Sequence, residues 1–338
     1  MAVGNRPGGP SSRSRVSQGL VGARALIGTR YLADPTLRSE YERDIAPRTT
    51  AALAKILAEI FPDPGARQRP RRVLDLGAGT GAAGAAVRAH FQDDIDLISV
   101  DQVPIFGAVR AADVTDVAGL SRTTAGAGPF DILVAAHVLN ELYLDEAPAR
   151  RSSRVAALVG RWCQLLLADG GTLILVEPAL RETSRALLGV RDHLLAAGLH
   201  IVAPCFFTGP CPALLRERDW CHDAQEPGDP AAPSRRTRRR VDFSYLVVRT
   251  SGELTTDSTL FRIVSDPLPE KGRFKIFACG LAGRQAIVRL DRHATAANAD
   301  LDLLLRGDVA RIVRTTFAQD GVRIGSDTTV TRQNRKDG

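Results

Sequence analysis

From Arg71 onward, short apolar runs alternate with longer stretches whose apolar positions recur every three or four residues. Arg71 to Leu76, Leu97 to Val100, Phe130 to Ala136, Thr172 to Val176, Leu199 to Ala203 and Val241 to Arg249 read as buried strands, and Ala108 to Ala112 as a weaker one. Between them the Ala-rich run to Phe91, Ser152 to Leu167 and Ser184 to Ala197 have helical spacing, with Gly170-Gly171 ending the second and Gly119 to Gly128 left as a flexible loop. Trp162 and Cys163 fall at core spacing, which makes Cys163 a small buried hydrophobe. Strands alternating with helices predict an α/β protein with a seven-stranded parallel sheet.

The pattern changes at both ends. Thr36 to Phe61 is helical, with Pro47 placed to start a second helix and Pro62 to Pro64 to end it. After residue 250, Leu260 to Val264, Arg273 to Cys279 and Gln285 to Leu290 read as short antiparallel strands, followed by a helix over Ala299 to Ile312 and a polar tail. These shifts divide the chain into a disordered basic tail (1–19), an N-terminal helical segment (20–66), an α/β domain (67–250) with a cysteine loop at 203–223, a small β module (251–325) and a polar tail (326–338).

Composition narrows the class. A length of 338 residues accommodates one α/β domain plus a small module, and no apolar run approaches a membrane span. The net charge of +7 favours a polyanionic partner. Five cysteines without a secretory signal point to a reducing compartment, where disulfides are not the default and metal ligation is to be considered. Five arginines and no acid precede Asp34, a composition shared by solvated basic tails and mitochondrial targeting segments. The simpler reading, a basic tail, gives a cytoplasmic protein, with the mitochondrial matrix as the alternative.

Val73 to Gly84 carries the first chemistry. Asp75, Gly77, Gly79 and Gly81 form D-x-G-x-G-x-G at the end of a strand, overlapping a G-x-G-x-x-G that alone would suit a dinucleotide. A carboxylate at Asp75 repels a pyrophosphate but suits an ammonium or a bridging water. The next strand ends in Asp101, where an acid can accept two ribose hydroxyls. The combination resembles the first two motifs of the class I (Rossmann-like) S-adenosylmethionine methyltransferases. That resemblance implies cofactor contacts at Asp75, Gly77, Gly79, Gly81 and Asp101, and an adenine contact at Asp113. It places the methyl acceptor at the exit of the fourth strand, where His137, Asn140 and Glu141 stand. His137 is counted with the cofactor residues. No Asn-Pro-Pro-Tyr type motif and no base-attacking cysteine follows, so no catalytic residue is assigned.

Cys205, Cys211 and Cys221 fall within seventeen residues, among prolines and glycines that hold them in loop. Their spacing lacks the C-x2-C knuckle of zinc modules, and Cys211-Pro212 matches the Cys-Pro that ends a ferredoxin cluster run. A fourth ligand is required, from Cys279 or His222.

Taken together, the glycine turn, His137 to Leu142, Glu177-Pro178, the Ala-Pro-Cys, Cys-Pro and Trp-Cys-His segments and Phe243 to Leu246 resemble the methyltransferase-like family of mitochondrial small-ribosomal-subunit assembly proteins and their bacterial relatives. The resemblance spans about Tyr31 to Ile312. It implies a four-iron four-sulfur cluster on Cys205, Cys211, Cys221 and Cys279 in preference to zinc, docking on small-subunit ribosomal RNA, and a retained S-adenosylmethionine fold whose methyl transfer is left open. The chain departs from the family at Phe206-Phe207, where Pro-His is usual, and at Asp223, where Phe is common. Neither departure touches a proposed ligand.

Five arginines in six positions, Arg235, Arg236, Arg238, Arg239 and Arg240, repel one another and belong in solvent or on phosphate. Beside the cysteine loop of a basic protein they are candidate RNA phosphate contacts, which position without reading bases. The expected protein is a ribosome-assembly factor with a cofactor pocket, monomeric off the ribosome and without a membrane partner. The alternative is a working methyltransferase of ribosomal RNA or a small molecule.

Overall fold

The structure, a computed structural model, describes residues 14–65, 71–92, 94–105, 107–124, 128–225, 240–318 and 321–333. A helical turn, α1 (Arg15–Ser17), leads into α2 (Pro35–Asp44) and α3 (Ala46–Ile60). Asp34 caps α2 by accepting from the Thr36 and Leu37 amides at 2.7 and 3.1 Å, and Pro35 takes a first-turn position where no amide is needed.

The α/β domain follows as β1 (Arg71–Leu76), α4 (Ala82–Phe91), β2 (Ile95–Asp101), β3 (Val109–Ala111), α5 (Val117–Thr123), β4 (Phe130–Ala136), α6 (Pro148–Leu166), β5 (Leu167–Pro178), α7 (Arg181–Ala196), β6 (His200–Ala203), β7 (Asp223–Gln225) and β8 (Val241–Arg249). Its sheet runs β3-β2-β1-β4-β5-β8-β6, with β7 attached to β8. The β1 to β5 strands pair in parallel, and β8 runs against its neighbours β5, β6 and β7.

Both faces of the central strands are buried. On β1, Leu74 and Leu76 join the core beneath α6 and α7, while Val73 joins the opposite core with α3 and α4. Trp162 is fully buried on the first side, its indole N–H donating to the Val114 carbonyl at 2.9 Å. Gly84 lets α4 lie against β1, since a Cβ there would meet Leu97 Cδ2 at 2.9 Å.

The loop expected over Gly119 to Gly128 is in part the helix α5, started by the Asp116 side chain accepting from the Gly119 amide at 2.9 Å. The β7 strand, only Asp223 to Gln225, is too short and polar to show an alternation in the sequence.

The C-terminal region departs further from expectation. It contains β9 (Leu260–Ile263), β10 (Leu268–Glu270), β11 (Arg273–Gly280), β12 (Gly283–Leu290), a 3-10 segment (Ala296–Leu303), β13 (Val309–Val313), β14 (Thr316–Ala318), β15 (Gly321–Ile324) and β16 (Thr329–Arg332). The helix expected to reach Ile312 stops at Leu303, and Val309 to Val313 is a strand instead. The polar tail expected from 326 holds β16, which pairs with β13 from Val313↔Thr329 to Ala310↔Arg332. Two threonines and an arginine around a single apolar Val330 give little sequence signal, yet Val330 lies in the module's core.

Candidate cofactor cleft and cysteine cavity

The glycine turn is shaped by its backbone. Gly77, Gly79 and Gly81 all have φ between 51° and 80°, a region hostile to other side chains. A Cβ on Gly77 would also meet Val138 Cγ2 at 2.6 Å. Asp101 binds the turn: its Oδ2 accepts from the Gly79 amide at 2.9 Å and its Oδ1 from the Val103 amide at 2.8 Å. Each oxygen keeps a second lone pair for an incoming hydroxyl.

A cleft of about 260 Å³ opens over this turn, lined by Gly77, Gly79, Asp101, Val114, His137 and Glu141 among others. Asp75 lies beneath the turn and not on the cleft wall, buried, with Oδ2 accepting from the Gly84 amide at 3.1 Å. Burial pushes its carboxyl up to about 7, against the Gly84 hydrogen bond. Gly81 caps α4 without lining the cleft. Asp113 turns away to accept from Thr115, at 2.8 Å from its amide and 2.7 Å from its hydroxyl, and its neighbour Val114 takes the wall position.

The segment after β4 is unusually constrained. His137 has φ of 62°, donates its amide to the Val176 carbonyl at 2.7 Å, and places Nε2 3.0 Å from Thr49 Oγ1 on α3. Burial, then Arg48, lowers its imidazole to about 4, so it is neutral at pH 7. Glu141 is pushed up to about 7 by burial, opposed by a hydrogen bond from the Gly28 amide. Two residues that sequence reasoning missed hold this segment. Arg151 donates to the Leu142, Leu139 and Asn140 carbonyls at 2.8, 3.1 and 2.9 Å. Glu177 Oε1 accepts from the Leu139 amide at 2.8 Å. A larger cavity of about 1000 Å³ toward α2 shares Tyr31, Tyr41, Thr49, His137 and Glu141 with the cleft.

The second site lies at the far edge of the sheet. Cys205, just past β6, Cys211, Cys221, just before β7, and Cys279 on β11 all line one cavity of about 60 Å³. That volume exceeds what a single water needs. Burial and the neighbouring thiols push Cys211 up to about 11 and Cys221 to about 12, and burial first raises Cys279 too. His222, the other expected candidate, also lines the cavity but stacks under Trp220, with ring centroids 6.1 Å apart. Among the described residues no three His, Cys, Asp or Glu side chains are gathered around a single-ion position. Cys163 does not line this cavity and is buried in α6, as expected.

The loop carrying the cysteines is held by α7, another contribution not legible beforehand. Arg191, 1% exposed, donates to the Phe207 carbonyl, to the Gly209 carbonyl at 2.8 Å and to Asp192. Asp192 in turn accepts from the Cys211 amide at 3.0 Å. Arg185 reaches the Ala213, Arg216 and Asp219 carbonyls at 3.0, 2.8 and 2.7 Å. The departures from the family pattern have partners as well. Asp223 forms a buried ion pair with Lys55, and the Phe206 ring lies 5.9 Å from the Arg262 guanidinium.

Of the arginine run, Arg235, Arg236, Arg238 and Arg239 lie outside the described residues. Arg240 is engaged within the chain, 2.7 Å from Asp242 and 2.8 Å from Asp266. No helix among the described residues is long and apolar enough to cross a membrane.

The strand order and the glycine turn between β1 and α4 define a class I methyltransferase fold. Residues 39–293 match the family described as mitochondrial small ribosomal subunit Rsm22, and the chain belongs to that family. No curated protein matches the chain. Among solved structures, the plantazolicin methyltransferase BpumL in complex with SAH has a TM-score of 0.40 at 10% identity, covering 70% of this chain and 94% of its own. The CurJ carbon methyltransferase has a TM-score of 0.36 at 15% identity, covering 71% and 62%. A putative methyltransferase from Thermoplasma acidophilum has a TM-score of 0.31 at 13% identity, covering 54% and 70%.

Proposed function

We propose that the protein binds S-adenosylmethionine in the glycine-turn cleft, carries a four-iron four-sulfur cluster on Cys205, Cys211, Cys221 and Cys279, and acts on the small ribosomal subunit as an assembly factor that binds its RNA. The observation that carries this reading is the convergence of those four thiols, from separate stretches of chain, on one cavity in a member of the Rsm22 family.

The donor set suits the cluster. Four cysteines match the ligation of a cubane, which spreads its sulfur ligands more widely than a single zinc ion does. Each thiol would lose its proton on ligation, and the charge of the cluster would offset the cost of burying the thiolate. When bound, the cluster would supply a fixed link between the cysteine loop and β11. Binding energy would then become folding energy at the contact between the two units, a structural role.

In the cleft, Asp101 would accept ribose hydroxyls, and amides of the turn would meet the carboxylate of the amino-acid end of the ligand. Asp113, turned to Thr115, is less suited to adenine than the apolar wall at Val114. The arginines at 235, 236, 238 and 239 would meet RNA phosphates. The protein would work as a monomer off the ribosome, in the compartment that houses its ribosome.

Anaerobic purification with iron, sulfide and zinc counts tests the cluster, and sedimentation with small subunits tests the partner. Iron and sulfide in equal amounts and co-migration with the subunit are the expected results. Zinc alone, or no co-migration, overturns the respective half.

A working methyltransferase is the second reading, favoured by the large cavity that adjoins the cleft at His137 and Glu141. In that case holding the acceptor in line would supply most of the catalysis, with neutral His137 or ionised Glu141 positioned to take a proton. Transfer of labelled methyl groups to small-subunit RNA would establish it.

A further inference from the structure

The C-terminal strands form more than an open sheet. The order is β14-β15-β12-β11-β9-β13-β16, so β15 and β16 stand toward opposite ends of the path. In sequence they are two halves of one strand, interrupted only at residues 325–328. The first half pairs in parallel with β12 and the second pairs antiparallel with β13. One stretch of chain therefore joins both edges, and the sheet closes into a barrel. Counting β15 and β16 as one and setting aside the short β10 and β14, five strands pair in the order first-second-third-fifth-fourth-first, with a helical segment between the third and fourth. This is the OB topology, whose second and third strands and flanking loops commonly bind oligonucleotides.

The side chains on that face fit the same use. Ile276, Ile287 and Val322 share a cross-strand row and point into the barrel core. The alternate row, Leu268-Lys275-Val288-Arg323, therefore lies on the other face, where Leu268 is exposed, Lys275 and Arg323 are half-buried and Val288 is buried. Next to it on β11 stands Phe277, partly exposed, with Lys275 Nζ 4.9 Å and the Arg284 guanidinium 4.7 Å from its ring centroid, the latter also paired with Asp219 Oδ2 of the cysteine loop at 3.2 Å. Apolar side chains mark the two flanking loops, with Leu268 43% exposed on the first and Phe317 69% exposed on the other. Toward Cys279 the face is covered by the cysteine loop, where Pro212 lies 3.3 Å from the position of a Gly283 Cβ.

We infer that the β11 and β12 face is a platform for single-stranded RNA, on which a base stacks against Phe277 while Lys275 meets a flanking phosphate. An aromatic ring between two cations, in a chain of net charge +7, favours a polyanion with exposed π faces over a peptide or a sugar. The inference deepens the RNA half of the proposed function by giving it a surface other than the arginine run.

The test is fluorescence anisotropy of the full chain with a labelled single-stranded oligouridylate of about twelve nucleotides, across a salt series. Phe277→Ala should weaken binding about tenfold or more, and Phe277→Trp should hold it near the wild-type value. Lys275→Glu should weaken binding and flatten the salt dependence. Unchanged affinity in Phe277→Ala, or a loss confined to Lys275→Glu, would overturn the stacking platform. Should Phe277→Ala melt early, photo-crosslinking of 4-thiouridine RNA to the wild-type chain decides instead: a crosslink on residues 273–280 supports the platform, and crosslinks only elsewhere reject it. Wild-type sedimentation with small subunits separates the two readings. A failed platform leaves co-migration intact, whereas a chain that never co-migrates fails the ribosomal reading whatever its oligonucleotide affinity.

Discussion

Lys55 Nζ lies 2.6 Å from Asp223 Oδ1, and both side chains are almost completely buried. The pair joins α3, which packs on α4 behind the glycine turn, to the first residue of β7, two positions past Cys221. Gly307 of the barrel closes over it. A Cβ at Gly307 would meet Asp223 Oδ1 at 1.7 Å and Lys55 Nζ at 2.6 Å, on a backbone with φ of 88°. The helical segment, the cysteine loop and the barrel therefore meet at a single buried charge pair.

Removing one partner should be severe. Lys55→Met leaves a buried carboxylate without its cation and should cost about 3–5 kcal/mol in unfolding free energy, measured by denaturant titration. Lys55→Met combined with Asp223→Leu should recover most of that loss, because no unpaired charge remains. Gly307→Ala should lower the melting temperature by itself, through clash and positive φ together.

Asp101 ties the turn to the cleft. Asp101→Ala frees the Gly79 and Val103 amides and removes the proposed hydroxyl acceptor. S-adenosylmethionine affinity by calorimetry should fall at least about tenfold, equivalent to roughly 1.4 kcal/mol. Co-migration with the small subunit should persist if the protein is a scaffold.

Glu177 gives a pH dependence of definite direction. Burial raises its carboxyl from 4.5 to about 8, against hydrogen bonds from Leu139 and Asn140 and with a contribution from Glu141. Between those two values the folded chain holds more protons than the unfolded one, so stability from this group is full at acid pH and declines as pH rises through 8. Glu177→Gln keeps an acceptor for the Leu139 amide and removes the titration. Thermal melts should match the wild type near pH 4, and at pH 9 the variant should be more stable by about 2–4 kcal/mol.

If the proposed cluster is bound, Cys279→Ser should lower the iron content and destabilise the contact between the barrel and the α/β domain. Limited proteolysis should then cut between the two units before either is degraded. Cys163→Ser, inside α6, should leave the iron count unchanged while lowering the melting temperature. Removal of iron by a chelator should shift the melting curve of the wild type downward and leave that of Cys279→Ser almost unmoved.

The α/β domain was legible because its strands are buried on both faces and its glycines carry positive φ, so hydropathy and turn chemistry spoke together. The barrel was not. Val309 to Val313 continues an apolar stretch that began in the Ala296–Leu303 turn, and periodicity alone could not divide helix from strand. Gly321 to Arg332 is polar because its strands are short and face solvent on one side, which looks like a tail until the pairing is known. Within the cleft, Asp101 and the glycines could be placed from spacing. Arg151, Glu177, Arg185 and Arg191 could not, since each acts on backbone or carbonyl groups brought near only by the fold. Asp223 stood out as a departure from the family, and its reason is a lysine 168 positions earlier.

The divided strand that seals the barrel also sets an order of events during synthesis. Its second half, Thr329–Arg332, is made some fifty residues after the strand bearing Cys279, yet the two lie in the same closed sheet. Three thiols are made well before their fourth companion, and that companion waits for a later strand to be locked in place. Closure of the barrel is thus deferred until Thr329–Arg332 has been made, so that a product truncated before it would be left with an unsealed barrel and an incompletely supported set of cysteines.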